Sequence, residues 1–236
     1  QSAPVWKVLG AVLSAVGHKQ EALAAKRRAV ELDPNDPDAQ ANLGNSLQDE
    51  DLLDEAEAHC RAALQVNPQH DNALNNLGLV LYRQGRYLEA RDVLQQALVH
   101  SPDFAEALVN LGNIKRDMGE KTEAEQLYRR AIRLAPRLVN AHMNLGVLLA
   151  EGKDTPTEQR PAELAEAEAC YQQALAIDPN HVETLHGLGN LYREIRRFKR
   201  AEECFQRAVQ INPSHARAWL GLGGVKSYAK GSLHEA

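Results

Sequence analysis

Aromatic side chains are scarce in this 236-residue chain, at 5 %. That scarcity, set beside abundant alanine, suits helices packed closely through small residues. Basic residues are not in excess. With a net charge of −5 and a pI near 6.0 there is no electrostatic footprint for nucleic acid. Long apolar runs are missing too, and nothing approaches the roughly 18 residues of a membrane span. The opening QSAPVWKVLG lacks a basic stretch followed by an apolar one, so no signal peptide is visible. Cysteines are few. Cys60, Cys170 and Cys204 lie in helical patterns without CxxC spacing and read as small core residues. Free thiols of this kind point to a reducing compartment, and the expected location is the cytoplasm. There is no phosphate-cradling glycine loop, no histidine-rich helix face and no nucleophile motif. No cofactor, no metal and, for this segment alone, no enzyme activity are therefore expected. His70, His181 and His215 fall near unit junctions and read as ordinary polar residues.

What the chain has instead is a period. Sliding it by 34 residues aligns Gly10, Gly44, Gly78, Gly112 and Gly146, and also Pro34, Pro68, Pro102 and Pro136. A period of this length marks a solenoid, in which each unit contacts only its neighbours. Apolar residues recur at helical spacing, as in Leu74, Leu77 and Leu81. A break follows about fifteen residues into each unit, often at glycine (Gly17, Gly85, Gly119). A second helical run then ends at a proline. Each unit is thus a helical hairpin. The expected units are about 3–36, 37–70, 71–104, 105–138, 139–181, 182–215 and a partial 216–236, forming one solenoid over 1–236.

Glycine inside a helix costs roughly 1 kcal/mol against alanine. Its recurrence at one place implies close approach of the second helix, where Ala22, Ala56, Ala90, Ala124 and Ala201 present only a methyl group. A bulky residue at Gly112 is expected to splay its hairpin. Gly146 to Gly189 spans nine residues more than the period. The insertion, near 152–160, contains Pro156 and is read as an exposed loop from Gly152 to Arg160, with Pro161 opening the next helix.

Asparagine supplies the functional signal. Asn42, Asn76, Asn110 and Asn144 stand at one register position in four consecutive units, and Asn45, Asn113 and Asn190 lie one turn further on. Asparagine is a mediocre helix former, so propensity does not explain the row. Stacked helices lie roughly 8–10 Å apart, close to three residues of extended peptide at about 3.3 Å each. An amide donates and accepts, so such a row suits capture of a peptide main chain. Two plainer readings stand beside it: bonds to neighbouring backbone within the solenoid, and recent duplication of one unit. Val8, Gly187 and Gly221 interrupt the row, which confines a ladder to the second to fifth units. Two charge runs, Asp49, Glu50, Asp51, Asp54, Glu55 and Glu57 and then Arg193, Arg196, Arg197, Lys199 and Arg200, read as solvated faces.

The units resemble tetratricopeptide repeats. The sixth matches that pattern at Leu185, Leu188, Gly189, Tyr192, Ala201, Phe205, Ala208 and Pro213. The first matches at Trp6, Leu9, Gly10, Ala22, Ala29 and Pro34, but has Lys26 where a large apolar residue is expected. The resemblance implies an all-α, right-handed superhelical solenoid of six full repeats plus a truncated seventh. It also implies a concave surface lined by first helices, with a protein or extended peptide as partner. The asparagine row is similar to the repeat arm of O-linked N-acetylglucosamine transferase-like bacterial proteins, which would make this a substrate-recruiting arm. The chaperone-adaptor type, which grips a terminal carboxylate, is set aside, because Ala11, Ala41, Glu106, Val109 and Glu183 occupy required places. The last unit stops before its second helix. The chain is accordingly expected to be a fragment that self-associates through its solenoid ends.

Overall fold

The computed structural model describes residues 2–152 and 160–231. Among them every regular element is a helix. The chain forms two compact units, meeting in sequence between Met118 and Gly119. The first holds α1 (Ala3–Ala15), α2 (Lys19–Leu32), α3 (Pro37–Asp49), α4 (Leu53–Val66), α5 (Asp71–Arg83), α6 (Tyr87–His100) and α7 (Ala105–Asp117). The second holds α8 (Lys121–Leu134), α9 (Val139–Glu151), α10 (Arg160–Ile177), α11 (Val182–Glu194), α12 (Phe198–Ile211) and α13 (Ala216–Gly231). Within each unit a helix packs on its sequence neighbours, and first helices also pack on the next first helix: α3 on α5, α5 on α7, α9 on α11, α11 on α13. This nearest-neighbour pattern is that of a helical solenoid.

Local chemistry sets the ends of the helices. Asp36 caps α3, accepting from Asp38 N (2.9 Å) and Ala39 N (3.1 Å), with Pro37 in the first helical position. The same aspartate binds Lys7 Nζ at 2.7 Å, joining the first two hairpins. Burial alone would raise its pKa. The Lys7 ammonium and the two backbone donors outweigh that and hold it below the ordinary value. A folded pKa below the unfolded one gives stability that is complete above the unfolded value and lost as pH falls through the folded one. Asp36→Ala is expected to cost about 1 kcal/mol at neutral pH. It should also flatten the acid limb of the melting temperature against pH, which thermal melts would show; an unaltered acid limb would remove Asp36 from this account.

The turns inside hairpins share one device. Gly17, Gly85 and Gly119 adopt positive φ, and so do Asp51 (64°) and Arg196 (58°) at the same place in the second and sixth hairpins. In four of these turns the N–H three residues beyond the helix reaches back across the turn, as in Leu52 N to Leu47 O and Arg197 N to Tyr192 O, both within 2.9 Å. The two charge runs therefore contain the helix stops.

The packing differs from the sequence expectation in one respect. The alanines are buried as expected, but the side chain one turn beyond Ala22, Ala56, Ala90 and Ala201 lies on the helical glycine. A methyl group built on Gly44 would lie 2.7 Å from Cys60 Sγ, one on Gly78 2.5 Å from Leu94 Cγ, and one on Gly189 2.7 Å from Phe205 Cε1. The alanine contributes its carbonyl, 3.2 Å away for Ala56 O at Gly44. Most of the insertion, 153–159 with Pro156, lies outside the described residues. Its ends do not: Gly152 caps α9, and Arg160, expected in the loop, is the first residue of α10 with Pro161 second. The Arg160 guanidinium explains the difference. It donates to the carbonyls of Leu149 (2.8 Å) and Ala150 and to Glu194 (2.8 Å), pinning the start of α10 on the end of α9.

Candidate functional site: the asparagine-bearing first helices

In the first unit, α3, α5 and α7 pack in succession. Asn42 and Asn45 are exposed on α3, Asn76 is half-buried on α5, and Asn110 and Asn113 are half-buried on α7. Two of these amides are held by the preceding first helix. Asn76 Nδ2 donates to Ala41 O at 3.2 Å, and Asn110 Nδ2 donates to Asn75 Oδ1 at 2.9 Å. Bonding within the solenoid is thus realised at those two positions. In the second unit Asn144 is buried on α9, and Asn190 on α11 donates to His186 Nε2 at 3.2 Å. Burial, followed by the charge of Arg217 and the ring of His215, lowers the His186 pKa, consistent with a neutral ring whose Nε2 accepts.

The row is interrupted at two glycines on which an aromatic ring lies closely. Tyr171 of α10 and Phe205 of α12 lie beneath the row position of the following hairpin. A methyl group on Gly187 would come within 2.8 Å of Tyr171, and one on Gly221 within 2.6 Å of Phe205. At these two glycines a side chain would have to displace the ring.

Sequence reasoning missed the junction histidines. His70 Nδ1 accepts from Ala73 N (3.2 Å), so Nε2 carries the proton and donates to Asp38 (3.1 Å). His215 repeats this with Ala218 N (3.1 Å) and Glu183 (3.2 Å), and His181 caps α11 through Thr184 N. Each caps a first helix, and His70 and His215 also tie it to the preceding hairpin. Their spacing just before each first helix was the available signal. The acidic run is likewise no free solvated face: Asp51 pairs with Arg83 (2.8 Å), Glu57 with Arg61 and Arg86 (2.8 Å each), and Glu55 with Arg27. In the basic run Arg197 and Arg200 share Glu168, while Arg193, Arg196 and Lys199 are exposed.

Burial pushes the Cys60 thiol up to about 12 and those of Cys170 and Cys204 to about 11, which suppresses the thiolate. Among the described residues no group of histidine, cysteine and carboxylate side chains is placed to hold a metal ion. No described helix is long and apolar enough to cross a membrane.

The sequence profile of the tetratricopeptide repeat matches residues 37–99, 72–137 and 158–214, and a second profile of the same description matches 109–182. The chain belongs to the tetratricopeptide-repeat family. No curated protein matches it. Similar solved structures include a chain of the APC/C hetero-tetramer Cut9–Hcn1, at 17 % identity and TM-score 0.79 over 95 % of this chain and 42 % of that one. This chain therefore spans well under half of that relative. PilF of Pseudomonas aeruginosa matches at 22 % identity and TM-score 0.70, over 96 % of this chain and 97 % of PilF. YrrB, a TPR protein with an unusual peptide-binding site, matches at 24 % identity and TM-score 0.52, over 83 % of this chain and 96 % of YrrB. At these identities the likeness concerns the fold. Tetratricopeptide proteins are generally non-catalytic scaffolds for protein–protein interaction, and this chain carries that scaffold.

Proposed function

We propose that the chain is a protein- or peptide-binding scaffold that captures an extended segment along the asparagine-bearing face of its first helices. The observation that carries this is the restraint of the amides in the first unit. Asn76 and Asn110 are each tethered through one N–H to the preceding first helix, and each amide has a second N–H and an oxygen with which to bond a main chain. Asn42 and Asn45 extend the face as exposed amides, and Asn113, Asn144 and Asn190 belong to the same set by register. The experiment is peptide-array binding by wild type and by the Asn76→Ala/Asn110→Ala double variant. Broad loss across unrelated peptides is expected, and equal binding would remove the asparagines from the account.

Two finer readings belong to the same proposal. The resemblance of the amide row supports a substrate-recruiting arm of a larger glycosyltransferase-like enzyme, a reading that the adjoining protein sequence tests directly. Self-association through the ends is supported by α1, where Val5, Val12 and Val16 are exposed although Val80, Ile114 and Leu148, the counterparts of Val12, are fully buried. On α13, Trp219 and Leu220 are exposed as well. Sedimentation over a concentration series should show mass increasing with concentration, and a monomer throughout would end this reading. A cytoplasmic location rests on the unpaired thiols alone.

A further inference from the structure

Two of the turns inside the hairpins carry charge that the protein does not neutralise, and the two signs are opposite. In the second hairpin, between α3 and α4, Asp51, Glu55 and Glu57 are held by Arg83, Arg27 and Arg86. Asp49, Glu50 and Asp54 have no such cation among the described residues. Glu50 accepts from the Gln20 amide at 2.9 Å and Asp54 from the Gln84 amide at 3.2 Å, and both donors are neutral. Asp49 and Asp54 are exposed, and Glu50 is half-buried.

The sixth hairpin, between α11 and α12, shows the reverse. Arg197 and Arg200 converge on Glu168 at 2.9 and 3.6 Å, and that carboxylate also accepts from Tyr192 Oη at 2.9 Å. Glu194, the one acid inside the run, is taken by Arg160 at 2.8 Å. Arg193, Arg196 and Lys199 are exposed and, among the described residues, in ion-pair contact with no carboxylate.

The two sets stand on the same backbone frame. Left-handed Asp51 and Arg196 stop α3 and α11 where glycine stops α1, α5 and α7, and the same back-bond closes both turns. Asp54 and Lys199 each follow three residues later. An isolated surface charge is ordinarily satisfied by water. What singles these out is that the chain carries, on one turn, the complement of what it leaves open on the other. A net charge of −5 opposes general association between copies and any long polyanion, so a contact made by these charges is local.

We propose that the basic α11–α12 turn of one copy docks on the acidic α3–α4 turn of a second copy, in a head-to-tail contact held by charge. Arg193, Arg196 and Lys199 meet Asp49, Glu50 and Asp54, and Leu52, 45 % exposed, lies among the acids. The contact is heterologous, because each copy offers one turn of each sign. Exposed ion pairs contribute little singly, so the association is weak and sensitive to salt. It uses neither the amide face nor the apolar surfaces of α1 and α13, and it stands or falls separately from both.

Sedimentation of wild type over a concentration series tests it, in about 0.01 M and in about 1 M sodium chloride, between which the Debye length falls from roughly 30 Å to 3 Å. Association is expected at low salt, with a Kd about ten-fold or more higher at high salt. Two charge-reversed variants identify the surfaces. Asp49→Lys/Glu50→Lys/Asp54→Lys makes both turns basic, and Arg193→Glu/Arg196→Glu/Lys199→Glu makes both acidic. Each alone should lose the salt-sensitive association, and an equimolar mixture of the two should regain it. Circular dichroism melts check that both are folded, and the salt series on wild type needs neither. Association of wild type that salt does not weaken overturns the proposal and leaves the apolar ends as the contact. Folded variants that fail to associate when mixed also overturn it. Monomers at every concentration and salt overturn both modes of self-association.

Discussion

Gly78→Leu is expected to lower the unfolding free energy of the first unit by at least about 3 kcal/mol, the upper range for overpacking a well-filled core. A single methyl group at this position already meets Leu94 Cγ at 2.5 Å, and its two methyl carbons at 2.8 and 3.2 Å. Cγ is the branch atom of a fully buried leucine, so rotating the end of the side chain does not clear it. Gly78→Ala sets a gain of roughly 1 kcal/mol in helix propensity against that collision, and a net loss is expected. Gly223 supplies the control. It holds the same repeat position on α13, but an added methyl group meets nothing within 4 Å. Gly223→Ala should therefore stabilise by up to about 1 kcal/mol. Denaturant unfolding of the three variants checks the signs, and a stabilising Gly78→Ala would contradict the packing.

The second large effect concerns the end of the asparagine row. Phe205 is fully buried between Gly189 on α11 and Gly221 on α13, and methyl groups on those glycines would approach its ring to 2.7 and 2.6 Å. Gly221→Asn, which would extend the row, is expected to cost about 2–3 kcal/mol by driving an amide into the ring. Phe205→Cys alone should cost roughly 3 kcal/mol or more through the cavity left behind. The two together recreate the pairing of Cys60 with Asn76 in the first unit. Their combined loss should fall short of the sum by roughly 2 kcal/mol, a coupling typical of residues in contact. Additive losses in equilibrium unfolding would mean that the ring does not exclude the amide.

Much of the fold was legible because a 34-residue period leaves little freedom. Glycine and proline marked most of the helix ends, and seven first helices lie where the spacing put them. What was not legible depended on atoms a turn away. The glycines were matched with alanines, since a small residue opposite a small residue is the simplest contact; in fact Leu94, Tyr171 and Phe205 reach across from one turn beyond. Asp51 and Arg196 were hidden as helix stops, because φ is not visible in a charge run. The junction histidines were passed over, since a lone histidine gives no sign of which nitrogen is occupied. For the site, the register of the asparagines was legible. Their individual environments were not: Asn42 is exposed, Asn76 is tethered to a carbonyl and Asn144 is buried, although all three share one repeat position.

The central claim is that these amides read a main chain. It is tested most directly by titrating wild type with a peptide that binds on the array, with a version of the same composition whose side chains are shuffled, and with a version methylated on alternate backbone nitrogens. Capture of the main chain predicts that shuffling changes the affinity little, while methylation, which removes N–H donors from the main chain, lowers it about ten-fold or more. The Asn76→Ala/Asn110→Ala variant should then bind all three peptides equally weakly. Full affinity for the methylated peptide, with loss on shuffling, would show side-chain recognition and contradict the account.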